Sequence, residues 1–170
     1  RYAICFHDYE LEKAREYPDL MSIVFEKVKP QRDKVNRDRN RLKWWLYGEY
    51  RKGLRIAIRD LSRILVRSLV SEYHILSFTH PNQILSCKLG IFTFDDYYHF
   101  SLLQSSAHEI WQKRLASTLE ARNSYTLAYC YQTFPFPQSV EKNKIERTDE
   151  KGKSFYLYRQ QIMQQRILGL

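Results

Sequence analysis

Residues 64–94 read ILVRSLVSEYHILSFTHPNQILSCKLGIFTF, and the character of this run decides the fold. Ile64–Val70 and Tyr73–Thr79 are rich in branched and aromatic residues, which suit a pleated, half-buried surface. Pro81-Asn82 marks a turn, and Ile84–Phe94 supplies one or two further strands around Gly90. The expectation is a small, mostly antiparallel sheet. Immediately downstream, Asp95 or Asp96 caps a helix whose apolar face is Phe100, Leu103, Ala107, Ile110, Trp111 and Leu115.

Working outward from that centre, Leu119–Tyr131 is mixed and reads as loop. Phe134-Pro135-Phe136-Pro137 must be extended, because each proline pushes its predecessor out of the helical region. Residues 139–153 read as a polar linker without apolar periodicity. From residue 154 to 170 a helical pattern returns, with Tyr158, Ile162 and Gln165 or Arg166 along one side. That helix is expected to pack on a neighbour or on something outside the chain. On the N-terminal side, residues 1–6 form a short β-prone run and Glu10–Glu16 favours helix. Pro18 suits the first turn of a new helix carrying Leu20, Ile23, Val24 and Val28, and Pro30 should kink or restart it. Leu54, Ile58 and Leu61 give a further short helix. The fold class is therefore α+β: a small sheet packed with several helices, a single domain over residues 1–138, and a C-terminal helix after a polar linker. The chain opens on Arg1 and closes on Leu170 inside a helical pattern, which reads as a piece of a longer protein.

Composition narrows the function. The 170 residues are 44% hydrophobic, enough to build a core and too many for wholesale disorder. The net charge of +9 attracts polyanions: DNA, RNA or an anionic membrane surface. No apolar run approaches the ~18 residues that span a bilayer, so a membrane partner is not expected. Cys5, Cys87 and Cys130 are odd in number and far apart, which argues against a disulfide framework or zinc knuckle and favours a reducing cytoplasm. The charge is concentrated between Lys27 and Lys43, directly before Trp44-Trp45. Such a stretch can lie along a phosphate backbone, with Lys34, Arg37, Arg41, Lys43 and the more distant Arg67 as contacts. It can equally be a solvated helix with one tryptophan anchored in the core.

No complete catalytic site is present. His108-Glu109 matches the opening of a zinc HExxH motif, but Gln112 stands where the second histidine is needed. Asp149-Glu150-Lys151 has the D-x-K spacing of metal-dependent nucleases, in a segment read as linker. The five glycines do not cluster, so neither a phosphate loop nor an S-adenosylmethionine loop can be drawn. An Asn-Pro-Pro-Tyr-type loop for a flipped base is also missing. The piece itself is not expected to be an enzyme and needs no cofactor or metal.

Several segments in order carry a family resemblance. They are Tyr17-Pro18-Asp19 with Val28-Lys29-Pro30-Gln31-Arg32-Asp33, Lys43-Trp44-Trp45, Val70-Ser71-Glu72-Tyr73, and Asp95-Asp96-Tyr97-Tyr98-His99-Phe100. Leu103-Gln104-Ser105 with His108-Glu109-Ile110-Trp111 follows, then Tyr125-Thr126 and the specific Tyr131-to-Pro137 run. Over about residues 1 to 140 this set resembles the target-recognition domain of MmeI-like (type IIG/IIL) restriction-modification DNA methyltransferases. The resemblance implies a sequence-specific reader of double-stranded DNA, attached to a methyltransferase domain that binds S-adenosylmethionine and methylates adenine N6. Some members of the family also carry a nuclease, and some serve in phage defence. It further implies base-reading positions at Lys88, Glu120, Arg122 and Ser124, and a turn near DNA at Ser71 and Tyr73. The family more often has a basic residue where Glu72 stands. The competing expectation is a stand-alone basic module that binds RNA or DNA without an attached enzyme.

Overall fold

The computed structural model describes residues 3–119 and 122–166. The chain divides into two compact units, the first ending at Ala57 and the second beginning at Ile58. The boundary falls inside the stretch read from sequence as one domain.

The first unit is helical: α1 (Leu11–Ala14), α2 (Pro18–Lys27), α3 (Lys29–Arg32), α4 (Asp38–Leu42) and most of α5 (Lys52–Ile58). Pro18 occupies the first turn of α2, and α3 restarts the chain at Pro30, as their fixed φ and missing N–H dictate. Phe6, Ala14, Val24 and Trp45 form the buried centre. The Trp45 indole N–H donates to the Tyr9 carbonyl at 2.9 Å. Residues 3–6 are not a strand; Phe6 joins this small core instead.

The second unit is α+β, and its first sheet has the order β3-β1-β4, all antiparallel, from β1 (Ile64–Ser68), β3 (Ser77–Thr79) and β4 (Leu89–Phe92). Its second sheet has the order β2-β6-β5, from β2 (Val70–Ser71), β5 (Ser117–Leu119) and β6 (Arg122–Ser124). β6 is the strand that mixed composition disguised as loop; it is followed by a π-helical segment, Leu127–Tyr131. Extended Phe134–Pro137 alternates as strand-like backbone must: both phenylalanines are half-buried and both prolines exposed.

The helix expected after the Asp-Asp pair is two helices, α6 (Tyr97–Gln104) and α7 (Ser106–Leu115). Asp96 caps α6 by accepting the His99 N–H at 2.7 Å, and Ser105 leaves helical geometry to cap α7 through the His108 N–H. The break rotates the second half, so Ala107, Ile110 and Leu115 face solvent while His108 and Gln112 are buried.

The largest departure is C-terminal. Residues read as polar linker belong to α8 (Lys142–Gln165), a 24-residue helix packed along α6. Its lysines, glutamates and glutamines are good helix formers, and its packing face is made of residues that carry little hydropathy signal. Gly152 lets the backbones approach, Tyr156 packs its ring in the core while its hydroxyl accepts the Phe78 N–H at 3.2 Å, and Asp149 accepts the Tyr97 and Tyr98 N–H groups at 2.8 and 2.9 Å. A carboxylate of one helix thus satisfies orphan donors of another. Arg159 bonds the Gln104 side chain and the Leu76 carbonyl, tying α8 to the segment that leads into β3.

Gly152→Ala tests this contact. An added methyl would sit 2.6 Å from the Tyr97 carbonyl oxygen and closer still to the Ser101 hydroxyl. Despite alanine's better helix propensity, we expect a loss of about 1–3 kcal/mol in urea denaturation. An unchanged or raised midpoint would mean that α6 and α8 do not pack this closely.

Candidate nucleic-acid interface

The residues singled out for base reading come from segments far apart in sequence, and the backbone joins them. The Leu69 N–H donates to the Lys88 carbonyl at 2.9 Å, and the Tyr125 N–H donates to the Leu69 carbonyl at 2.7 Å. From there the second sheet continues, pairing Val70 with Ser124 and Ser71 with Asn123, then Ser117 with Ser124 and Leu119 with Arg122. Lys88, Leu69–Ser71, Arg122–Ser124 and Ser117–Leu119 therefore lie side by side as one hydrogen-bonded array. The β1–β4 ladder runs into it through the Ser68–Leu89 pair.

Lys88 is exposed, Ser124 and Ser71 are half-buried, and Tyr73 is largely exposed beside the turn that the Ser71 hydroxyl closes by accepting the Tyr73 N–H. Arg122 is fixed in register by its pairing with Leu119. Glu120 lies outside the described residues. The sequence offered the segments individually; only the pairing of Leu69 with both Lys88 and Tyr125 unites them, and no local pattern announces it.

Beneath the array sits a polar core that sequence reasoning missed. Arg67, expected to touch phosphate, is only 2% exposed. Its guanidinium lies 3.9 Å from the Tyr125 ring centroid and donates from Nη1 to the Gln112 side-chain oxygen at 2.6 Å. Its Nη1 is also 3.1 Å from His74 Nδ1, and Nε donates to the Ser68 carbonyl. A cation held this way does not reach a phosphate without leaving the core, so Arg67 drops out of the backbone-contact set. Burial pushes its pKa down to about 10, which keeps it charged at neutral pH.

The two histidines share one acceptor. His74 Nε2 and His108 Nδ1 each lie 2.7 Å from the Leu103 carbonyl, His108 donating there from Nδ1, and His74 Nδ1 lies 2.9 Å from the Gln112 side-chain oxygen. With Nδ1 of His108 protonated, its Nε2 accepts the Tyr125 hydroxyl at 3.1 Å. Burial, with Arg67 and His74 adding like charge, lowers His108 to about 4. Burial also lowers His74 and raises the Tyr125 hydroxyl. The His108-Glu109 pair is thus a core histidine beside a surface ion pair of Glu109 with Lys113.

In the first unit, Lys34 is exposed, Arg37 pairs with Glu49 at 3.3 Å, Arg41 with Asp38, and Lys43 with Glu10 at 3.0 Å. These pairs lie at the surface, where such contacts contribute about 0–1 kcal/mol, so the cations remain available to a polyanion. Trp45 is core, and Trp44 packs edge-on against Phe25 at 5.6 Å, so the aromatic end of the basic stretch is an anchor. Asp149, the acid of the D-x-K spacing, is occupied in capping α6. Among the described residues, no group of acids, histidines and cysteines could hold a metal, and no helix is long and apolar enough to cross a membrane.

The second unit is thus an α+β module in which short strands are joined edge to edge beside a core that holds Arg67, Gln112, His108 and Tyr125. The chain belongs to the family described as "MmeI, target recognition domain", which matches residues 1–138. It is 32% identical over 88 residues to DNA methyltransferase A of Bacillus subtilis (strain 168), covering 49% of this chain and 10% of that protein. Its fold is that of a segment of the type IIL restriction-modification enzyme MmeI, solved in complex with DNA: TM-score 0.71, 18% identity, 94% of this chain and 21% of that one. The chain thus spans about a tenth and a fifth of these two proteins.

Two outcomes follow from the buried network. Gln112→Leu removes the acceptor of a buried cation and should cost about 2–3 kcal/mol of unfolding free energy. A cost near zero would show that Arg67 is not held there. His108 titrates near the ordinary histidine value of 6.5 when unfolded and about 4 when folded, so the unfolded chain takes up protons in that window that the folded chain refuses. Stability is full above pH 6.5 and should fall as pH drops toward 4. Urea denaturation at pH 7 and 5.5, above the carboxylate range, reads this directly; equal stability at both would contradict neutral buried histidines.

Proposed function

We propose that this chain is the sequence-specific double-stranded DNA recognition module of an S-adenosylmethionine-dependent adenine-N6 DNA methyltransferase of the restriction-modification type. It would work in the cytoplasm beside the methyltransferase domain of the same polypeptide. The observation that carries the reading is the array that unites the Lys88, Leu69–Ser71 and Arg122–Ser124 segments in a member of the target-recognition family. Similarity to a protein named DNA methyltransferase A supports the attached enzyme.

The division of labour follows from chemistry. Lys34, Arg37, Arg41 and Lys43, with Ser71 and Tyr73, set register on phosphates, which carry no sequence information. Lys88, Glu120, Arg122 and Ser124 read base edges. Arg122 can bond guanine O6 and N7 together, and Glu120 can accept from cytosine N4. Among the described residues the glycines are scattered, and none has the positive φ of a tight cofactor loop. These residues do not fit S-adenosylmethionine, so the reading assigns the cofactor and the methyl transfer to the rest of the parent protein.

Fluorescence anisotropy on a randomised duplex pool, at low and moderate salt with duplex RNA as control, tests the reading. DNA binding should fall steeply with salt, because neutralising phosphates releases counterions. Selection from the bound pool should then enrich a defined site. Arg122→Ala should relax preference at one base pair by about 1–3 kcal/mol. Failure to bind duplex DNA at low salt, or equal grip on RNA without any enriched site, would refute the proposal.

A further inference from the structure

The cations that the sequence marks for phosphate lie between Lys27 and Arg67, well before α8. The helix nevertheless carries its own basic face. Lys144, Arg147 and Lys151 recur at i, i+3 and i+7, which places them on one side of α8. Together with Phe100, Ser101 and Gln104 of α6 they line a groove of about 620 Å³. No acidic residue lines it: Glu146 and Glu150 fall outside the lining. Lys144 has only an exposed ion pair with Glu141 at 3.4 Å, and neither Arg147 nor Lys151 has an ion-pair partner among the described residues.

The hydroxyls in the groove are already used. Ser101 donates to the Tyr97 carbonyl at 2.7 Å and also lies near the Thr148 carbonyl, while Thr148 donates to the Lys144 carbonyl at 2.8 Å. What the groove offers a partner is therefore positive charge over an apolar floor, without directional groups that could select one small molecule. Lys144 to Lys151 spans about 10 Å along the helix axis. That is about three nucleotide steps of one duplex strand. In a chain of net charge +9, a row of exposed cations with this reach, two of them without an ion-pair partner among the described residues, matches a polyanion backbone.

We propose that the α6–α8 groove is a second phosphate-gripping surface for duplex DNA, with Arg147 and Lys151 as its principal contacts and Lys144 at its edge. The inference rests on the DNA reading above. It adds affinity that is independent of sequence, since phosphates carry no base information.

The test compares the full chain with an Arg147→Gln/Lys151→Gln double variant on the same randomised duplex, over a salt series. Both residues are exposed, so the fold should be unaffected. The slope of log affinity against log salt should become shallower by roughly 0.9 per lost contact, about 1.8 for the pair. The selected site should not change. Lys153→Gln is the control, because Lys153 lies two residues from Lys151 and off the groove face; its slope should match the unmodified chain. An unchanged slope in the double variant, or an equal loss in the control, overturns the groove while leaving the recognition reading intact. Failure of the unmodified chain to bind duplex DNA refutes that reading, and this inference with it.

Discussion

The second unit depends on one buried cation. Arg67 has left water without a carboxylate partner among the described residues, and the cost of burying a charge is several kcal/mol unless other groups replace its hydration. Here the replacement is distributed: the Tyr125 ring face, the Gln112 oxygen, the Ser68 carbonyl and the His74 nitrogen. Each comes from a different place, namely the strand's own end, the segment before β3, the middle of α7 and the residue just after β6. Satisfying one guanidinium therefore fixes four segments relative to each other. The neutral histidines belong to the same requirement, because a protonated His108 or His74 would add like charge beside Arg67.

The consequence reaches the surface through Tyr125. Its ring and hydroxyl are held by Arg67 and His108, while its backbone N–H is held by Leu69. The strands beside it are two or three residues long and polar, and strands of that length have little stability of their own. Their register is inherited from the tyrosine that follows them. A recognition surface needs side chains on its exposed positions that can change without collapsing the scaffold. The fixed contacts lie one layer down, in Arg67, Gln112, His108 and Tyr125, while Lys88 is exposed.

Much of the first unit and of the central sheet was legible in the sequence, because punctuation there is local. Pro18, Pro30 and Asp96 act through their own φ or side chain on the adjacent turn, and the branched run at 64–68 suits a strand wherever it lies. The misreadings share a cause. α7 was assigned an apolar face continuous with α6, but Ser105 resets the rotation and the buried face is His108 and Gln112, which hydropathy scores as surface. α8 was read as starting late because its contacts are a glycine, a capping aspartate and a tyrosine, none of which produces an apolar stripe. Arg67 looked like a phosphate contact because a basic residue in a strand is normally at the surface. In all three cases the decisive partner is remote in sequence and polar. The segments expected to read bases are named only through family resemblance, and the pairing of Leu69 with both Lys88 and Tyr125 that brings their backbones together is a tertiary fact.

The two kinds of cation in this chain follow from where their hydration is replaced. Arg67 exchanges water for protein groups permanently, so its charge serves folding and is closed to any partner. Arg147, Lys151 and Lys34 keep their water, and the weak surface pairs of Arg37, Arg41 and Lys43 exchange readily. A polyanion competes with water and small ions for such groups at little structural cost, since nothing in the fold relies on them. Stability resides in the cation that cannot be reached, and attraction resides in the ones that the core does not need.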